Sequence, residues 1–140
     1  MIPINYLAII AAAVVSMVVG FLWYGPLFGK KWSEAAGFTP ERMAEAKQKD
    51  MSSSYALMFV GALIMNYVLA HTLIFASSYT ATTGAAAGLM AGFWSWLGFI
   101  APVSMGSVLW DGKPWTYWFI TAGYYLAVLL INGVILALWV

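Results

Sequence analysis

The 140-residue chain has no cysteine. It can form no disulfide, thiolate metal site or thiol nucleophile, which excludes the disulfide oxidoreductases built on small four-helix membrane scaffolds. Charge is almost as scarce: Asp, Glu, Lys and Arg together make up 8% of the residues. None of them lies between Met1 and Gly29, between Met51 and Trp110, or between Pro114 and Val140. The six basic and five acidic residues therefore fall in two short connections, Lys30 to Asp50 and Asp111 to Lys113. A charge at the centre of a bilayer costs several kcal/mol or more while water tolerates it freely, so this segregation predicts an integral membrane protein. The basic residues are interspersed with acids and form no stripe that could follow a phosphate backbone, which argues against a nucleic-acid partner. The first apolar stretch lacks a basic leader and is about twice the length of a signal-peptide core. It is expected to remain as a span.

What is present is apolar: 64% of residues are hydrophobic and 17% aromatic. An α-helix needs roughly 20 apolar residues to cross the hydrocarbon core. Four segments qualify, Ile4 to Phe28, Ser53 to Ala76, Gly84 to Leu109 and Trp115 to Trp139, giving an all-α four-helix bundle that is a single transmembrane domain over residues 1–140. Gly25-Pro26 and Gly29, the polar run Ser77 to Gly84, and Asp111-Gly112-Lys113-Pro114 supply the breaks. With four spans, Lys30, Lys31, Arg42, Lys47, Lys49 and Lys113 all fall on one side and no basic residue on the other. Loops rich in Lys and Arg stay in the cytosol, so loops 30–50 and 111–113 are expected inside a bacterial inner membrane, with both termini outside. Such one-sidedness argues against dual topology. A short cytoplasmic helix is expected near 40–51: Thr39 can cap it, Pro40 suits the first position, Glu41 complements the dipole, and Glu45 precedes Lys49 by one turn. Without Gly or Pro between Glu41 and Val60, it either runs into the second span or bends at Ser52 to Ser54.

The densest local pattern is Trp23-Tyr24-Gly25-Pro26-Leu27-Phe28-Gly29-Lys30-Lys31-Trp32. Aromatics suit the headgroup level, Pro26 disfavours helix at Gly25, and the lysines fix the inside, so the motif reads as an interfacial anchor. Its unwound Gly25 to Gly29 backbone could also offer groups to a ligand. The stretch YGPLFGKKW, the opening INYLAI and the closing LWDGKPWTYWFITAGYYLAVLLINGVILALW resemble the small bacterial membrane proteins of the family "domain of unknown function seventeen-sixty-one". The resemblance covers most of the chain and implies a four-helix membrane protein. It carries no catalytic residues with it.

Leu22-Trp23-Tyr24-Gly25 also resembles Leu109-Trp110-Asp111-Gly112, and Asn66 to Ala70 aligns with Gly123 to Ala127, as two parallel helical-hairpin repeats would produce. Ala8, Ala12, Ser16 and Gly20 on the first span and Gly84, Gly88 and Gly92 on the third recur every four positions. Such ridges allow close helix contact, within the bundle or across a dimer seam. Pro102 should kink the third span by freeing the Gly98 carbonyl, with Ser104 or a neighbour placed to satisfy it.

Intramembrane polar atoms matter most for function. Asn132 lies about eight residues from the outer boundary, Asn66 and Ser95 about ten and Ser16 about twelve, a layer roughly 6 Å thick near the midplane. An unpaired amide in hydrocarbon is costly, so these groups should bond across helices as structural glue, or else line a polar pocket or conduit. His71, the one histidine, lies four residues after Tyr67. Alone it builds neither a zinc site nor a two-histidine haem; haem with Met17, Met65, Met90 or Met105 as second ligand is the remaining cofactor arrangement, and no cofactor is expected. Trp94 and Trp96, displaced from the interfaces, suit interhelical bonding or the wall of a pocket.

Three functions fit these residues. The first is a non-catalytic membrane protein that associates with itself or with a membrane-protein partner through its small-residue faces. The second is a small channel or carrier for a neutral or weakly polar solute, lined by Asn66, Ser95, Asn132 and His71. The third is a lipid- or cofactor-handling enzyme using His71. No carboxylate lies in a span for proton coupling, and Asp111 beside Lys113 reads as a solvated turn.

Overall fold

A computed structural model describes residues 4–139, which are helical apart from short turns. Helix α1 (Tyr6–Leu22) starts at Asn5, whose side chain accepts a hydrogen bond from the Ala8 N–H and caps the first turn. It continues through one wide turn, Trp23–Leu27, in which the Phe28 N–H reaches back five residues to the Trp23 carbonyl at 2.9 Å. Gly25, the residue before Pro26, leaves helical geometry there (φ −104°, ψ −105°). A short helix follows, α2 (Gly29–Ala36), ended by Gly37 at φ +80°. Its Phe38 N–H bonds the Ser33 carbonyl at 3.0 Å, closing a left-handed glycine cap.

Helix α3 (Pro40–Gln48) has the Thr39 side chain accepting from the Arg42 N–H. It stops three residues earlier than the sequence suggests: Lys49 is extended, and the break at 49–51 precedes the serines rather than falling on them. Asp50 takes over the start of α4 (Ser52–Thr80), accepting from the Ser52 N–H at 3.0 Å and the Ser52 hydroxyl at 2.6 Å. Helix α4 also runs four residues past its expected end. Threonine hydroxyls in its second half bond within their own helix, Thr72 to the Val68 carbonyl and Thr80 to the Ala76 carbonyl, and the helix continues through the polar run Ser77 to Thr80.

The third span is segmented into α5 (Gly84–Ser95), a second wide turn (Trp96–Ile100), α6 (Ala101–Ser104) and α7 (Gly106–Leu109). The Ser104 hydroxyl donates to the Ile100 carbonyl at 2.6 Å and more weakly to Ala101 at 3.3 Å, not to Gly98. The helical ladder has already widened over Trp96–Ile100, and Ser104 bonds a carbonyl two residues beyond Gly98. Helix α8 (Trp115–Leu138) completes the chain.

Four of these stretches, Tyr6–Leu27, Ser52–Thr80, Gly84–Leu109 and Trp115–Leu138, are long and apolar enough to cross a membrane. Helix α8 is the hub. It packs against α1, α4 and, most extensively, α5. The α5 contact is backbone on backbone: a Cβ added to Gly88 would collide with the Gly133 carbonyl oxygen, and one on Gly92 with that of Leu129. Helix α1 contributes Ala8, Ile9, Ala12 and Ala13 to the core, and α4 contributes Ala62, Leu69, Ala70 and Leu73. These positions recur every three to four residues along each helix, one inward stripe apiece. Elsewhere large apolar side chains such as Leu57, Phe75, Phe99 and Val103 point outward. In three of the spans only 28% of the most apolar window is buried, and in α8 44%.

Asn5 donates to the Trp139 carbonyl at one end, while Lys113 donates to the Ala36 carbonyl at the other, at 2.7 Å. Both basic connections therefore meet at the same end of the bundle.

Candidate functional site

The polar residues expected near the midplane divide into a bonded core and outliers. Asn66 and Asn132 are 0% exposed and Ser16 is 2% exposed. The Asn132 amide donates to the Ser16 hydroxyl at 2.8 Å, and that hydroxyl donates to the Ala12 carbonyl one turn back at 2.9 Å. Tyr124 adds a third tie between α8 and α1, its hydroxyl donating to the Ser16 carbonyl at 2.8 Å. Asn66 instead bonds its own helix, donating to the Ala62 carbonyl at 2.9 Å. The side-chain oxygens of Asn66 and Asn132 have no partner among the described residues.

Ser95 is half-buried and stands apart from this group, in a cavity of about 310 Å³ with Met65, Thr72 and Leu129. His71 is also half-buried; its Nδ1 lies 2.8 Å from the Tyr67 carbonyl and its ring 4.5 Å from that of Tyr67. Neither reaches the Ser16–Asn132 pair through a hydrogen bond. Among the described residues no three His, Cys, Asp or Glu side chains gather as metal ligands.

The small residues are placed as follows. Ala8, Ala12 and Ser16 face the interior from α1; Gly20 lies beneath the Tyr124 hydroxyl, 3.3 Å from where its Cβ would be. Gly88 and Gly92 meet α8, whereas Gly84, at φ +68°, opens α5 with nothing within 4 Å. Gly84 makes a turn rather than a contact.

Tryptophan N–H groups tie the wide turns to α8. Trp23 donates to the Ile120 carbonyl at 2.9 Å and Trp96 to the Ala122 carbonyl at 2.8 Å. Both are accepted by the second lone pair of carbonyls within a helix. Trp118 returns the bond to the Ser104 hydroxyl at 3.0 Å. Trp94 lies on the surface, and Trp110, aligned with Trp23 in the sequence, is 85% exposed. The two ends of the apparent repeat thus sit in different surroundings.

The basic end holds an arrangement that the sequence does not advertise. The anchor motif folds back so that Gly29 presses on the Tyr24 carbonyl, 2.5 Å from the site of a Cβ, and Lys30 and Lys31 begin α2. Trp32 is carried over α8, where its ring lies 6.4 Å from that of Tyr117 at 27°. Tyr24 meets Trp32 at 5.4 Å and Tyr124 at 5.4 Å, and Tyr124 meets Tyr125 at 5.0 Å. Five rings make one continuous wall. The wall borders a cleft of about 610 Å³ between α2, α7, α8 and the beginning of α4. Residues 52–58 of α4 are all exposed, and Tyr55 among them packs on Phe21 of α1 with ring centroids 5.5 Å apart. Asp111 stands at its rim with Ser104 and Ser107. A second, apolar compartment of about 290 Å³ lies under Met17, Phe21 and Tyr55, and a third of about 160 Å³ reaches Ser16 and Ala62. Met58 and Tyr124 line all three. The spacing Tyr117, Thr121, Tyr124, Tyr125 marks one face of a helix and is the signal by which α8 announces this cleft.

The family described as "Protein of unknown function (DUF1761)" matches residues 7–137, and the chain belongs to it. No curated protein and no solved structure matches the chain.

Proposed function

We propose that this member of an uncharacterised family is a multi-pass protein of the bacterial cytoplasmic membrane that binds a ligand or partner without transforming or conducting it. Lipid insertion accounts for the outward apolar belt: with 28% of the most apolar window buried in three spans, most of that surface would otherwise meet water. The two basic connections, joined by Lys113 and Ala36, lie in the cytosol and both chain ends lie outside.

The observation that carries the non-conducting reading is the Asn132–Ser16 bond between side chains with 0% and 2% exposure. A conduit would hydrate these groups; here they are spent on each other. The cavity at the Asn5 end, about 270 Å³, shares no lining residue with the compartments at the basic end. The small-residue faces of α1 and α5 serve the bundle itself, so association is assigned to the open cleft rather than to a small-residue dimer seam.

Two measurements test this. In proteoliposomes the wild-type protein should pass small neutral solutes no faster than empty vesicles, and Asn132→Leu should lower stability; a flux that Asn132→Leu abolishes would overturn the reading. Single cysteines at Thr82 and Gln48 should label from outside and inside respectively. Outside-only labelling of Gln48 would reverse the orientation.

A further inference from the structure

We propose that the cleft at the basic end binds a single-chain amphiphilic cation, with an alkylated ammonium head against the tyrosine wall and Asp111 and an alkyl tail in the neighbouring apolar compartment. The inference rests on the binding role argued above and gives the ligand its chemistry. Ring faces are electron-rich, and a cation within about 6 Å of a ring centroid is attracted to it, the more so when desolvated. Tyr24, Tyr124 and Tyr125 form the inner wall, with neighbouring centroids 5.4 and 5.0 Å apart. Asp111 is the charged residue lining the cleft. Its neighbour Lys113 is committed elsewhere, donating to the Ala36 carbonyl at 2.7 Å with its ammonium 5.8 Å from the Tyr117 ring. Lys113 thereby covers Tyr117 and leaves the half-buried rings of Tyr24 and Tyr125, backed by the buried Tyr124, to face a guest. An anionic head would meet a carboxylate and the negative faces of these rings, so charge complementarity selects a cation.

Size and depth select an amphiphile. The head compartment, about 610 Å³, is in the range of small-molecule sites. The adjoining 290 Å³ compartment is lined by Met17, Phe21, Tyr55 and Met58, with no charge. The two share Tyr24, Met58 and Tyr124 as lining, so the head and tail compartments adjoin. The first turns of α4, exposed over residues 52–58, flank both compartments through Met58.

The test uses the full chain in dodecyl maltoside with radiolabelled decyltrimethylammonium, read by scintillation proximity. Binding should saturate and be displaced by the unlabelled cation but not by decyl sulfate; tetramethylammonium, lacking the tail, should compete far more weakly. Tyr125→Leu should weaken binding about tenfold and Tyr125→Phe, which keeps the ring face, by less than about twofold. Asp111→Asn should weaken it by about fivefold. Displacement by decyl sulfate as readily as by the cation, or unchanged binding in both Asp111→Asn and Tyr125→Leu, would overturn the site. Displacement by phosphatidylcholine at lower concentration than by the single-chain cation would assign the head pocket to a lipid headgroup and overturn the occupant proposed. Absence of saturable binding by monodisperse protein whose Gln48 labels only from inside sinks the cation site alone, whereas outside labelling of Gln48 sinks the topology on which it rests.

Discussion

Replacing Gly88 by alanine should be among the most damaging single-methyl changes available in this chain. The new Cβ would lie 2.5 Å from the Gly133 carbonyl carbon and 2.8 Å from the Val134 nitrogen, with the carbonyl oxygen closer still, whereas ordinary contact begins near 3.4 Å. No side chain can rotate away, because the obstacle is backbone. Helices α5 and α8 must therefore separate by about 1 Å, and a gap of that order forfeits a quarter to a half of each dispersion contact it opens. Overpacking of this kind costs about 1–3 kcal/mol. In a membrane bundle, where lipid tails are as apolar as the core, that packing is the main attraction between helices. Unfolding in mixed micelles titrated with sodium dodecyl sulfate, followed by circular dichroism, reads the loss directly. Gly61→Ala is the matched control: nothing lies within 4 Å of its Cβ position, so it should be neutral or gain up to about 1 kcal/mol of helix propensity. Gly88→Ala and Gly133→Ala strike the same contact and should be strongly non-additive when combined. If Gly88→Ala falls within about 0.5 kcal/mol of Gly61→Ala, then backbone contact does not hold α5 to α8 and the reasoning fails.

Asn132→Leu keeps the branched shape but removes the bond to Ser16, and should cost about 0.6–2 kcal/mol in the same titration. Asn66→Leu should cost less, because it gives up only a bond to its own helix and relieves a buried oxygen that has no partner among the described residues. Tyr124→Phe should lower stability by about 1 kcal/mol by deleting the bond to the Ser16 carbonyl, yet leave binding of decyltrimethylammonium intact because the ring remains; a parallel loss of both would mean that the hydroxyl, not the ring, meets the ligand. Lys113→Ala unfastens α2 from the α7–α8 turn and should raise hydrogen exchange across residues 32–36 while leaving α5 unchanged. The Asp50 carboxyl is held below its ordinary value of 3.8 by the Ser52 hydroxyl and N–H. A lowered folded pKa means that this support for the start of α4 is complete above the ordinary value and is lost as pH falls through the lowered one, so exchange of the Ser52 to Tyr55 amides should quicken only in that acid range, and Asp50→Asn should abolish the step.

The four long helices are legible in the sequence because the rule behind them is a large energy applied to single residues: charge is excluded from lipid wherever it would fall. Depth follows from counting, at about 1.5 Å per residue, so Ser16, Asn66, Ser95 and Asn132 can be assigned to one layer from the sequence. Azimuth does not follow. Each residue turns the helix by about 100°, and which face points inward depends on how four helices rotate against one another. Ser95 shares the depth of Asn132 but points into a separate cavity beside Met65 and Thr72, and His71 bonds within its own helix. The short helix α2 is equally illegible. Gly29 and two lysines at its start argue against it locally, and it is held by contacts distant in sequence, Trp32 on Tyr117 and Lys113 on Ala36.

The same distinction explains why the aromatic cleft escapes a reading motif by motif. Its rings come from two places that each have a sufficient local explanation: Tyr24 and Trp32 as interfacial anchors, Tyr117, Tyr124 and Tyr125 as part of an apolar span. What joins them is the fold-back at Gly25 to Gly29, which lays α2 across α8 and brings Tyr24 within 5.4 Å of both Trp32 and Tyr124. An anchor alone would need only to place its aromatics at the headgroup level, and any tilt that did so would serve. A wall of rings in mutual contact requires one particular tilt, and the chain fixes it three times over: by Gly29 against the Tyr24 carbonyl, by Trp23 to Ile120, and by Lys113 to Ala36. These restraints hold a segment that interfacial anchoring alone would leave loose, which is the preorganisation that the binding proposed above requires.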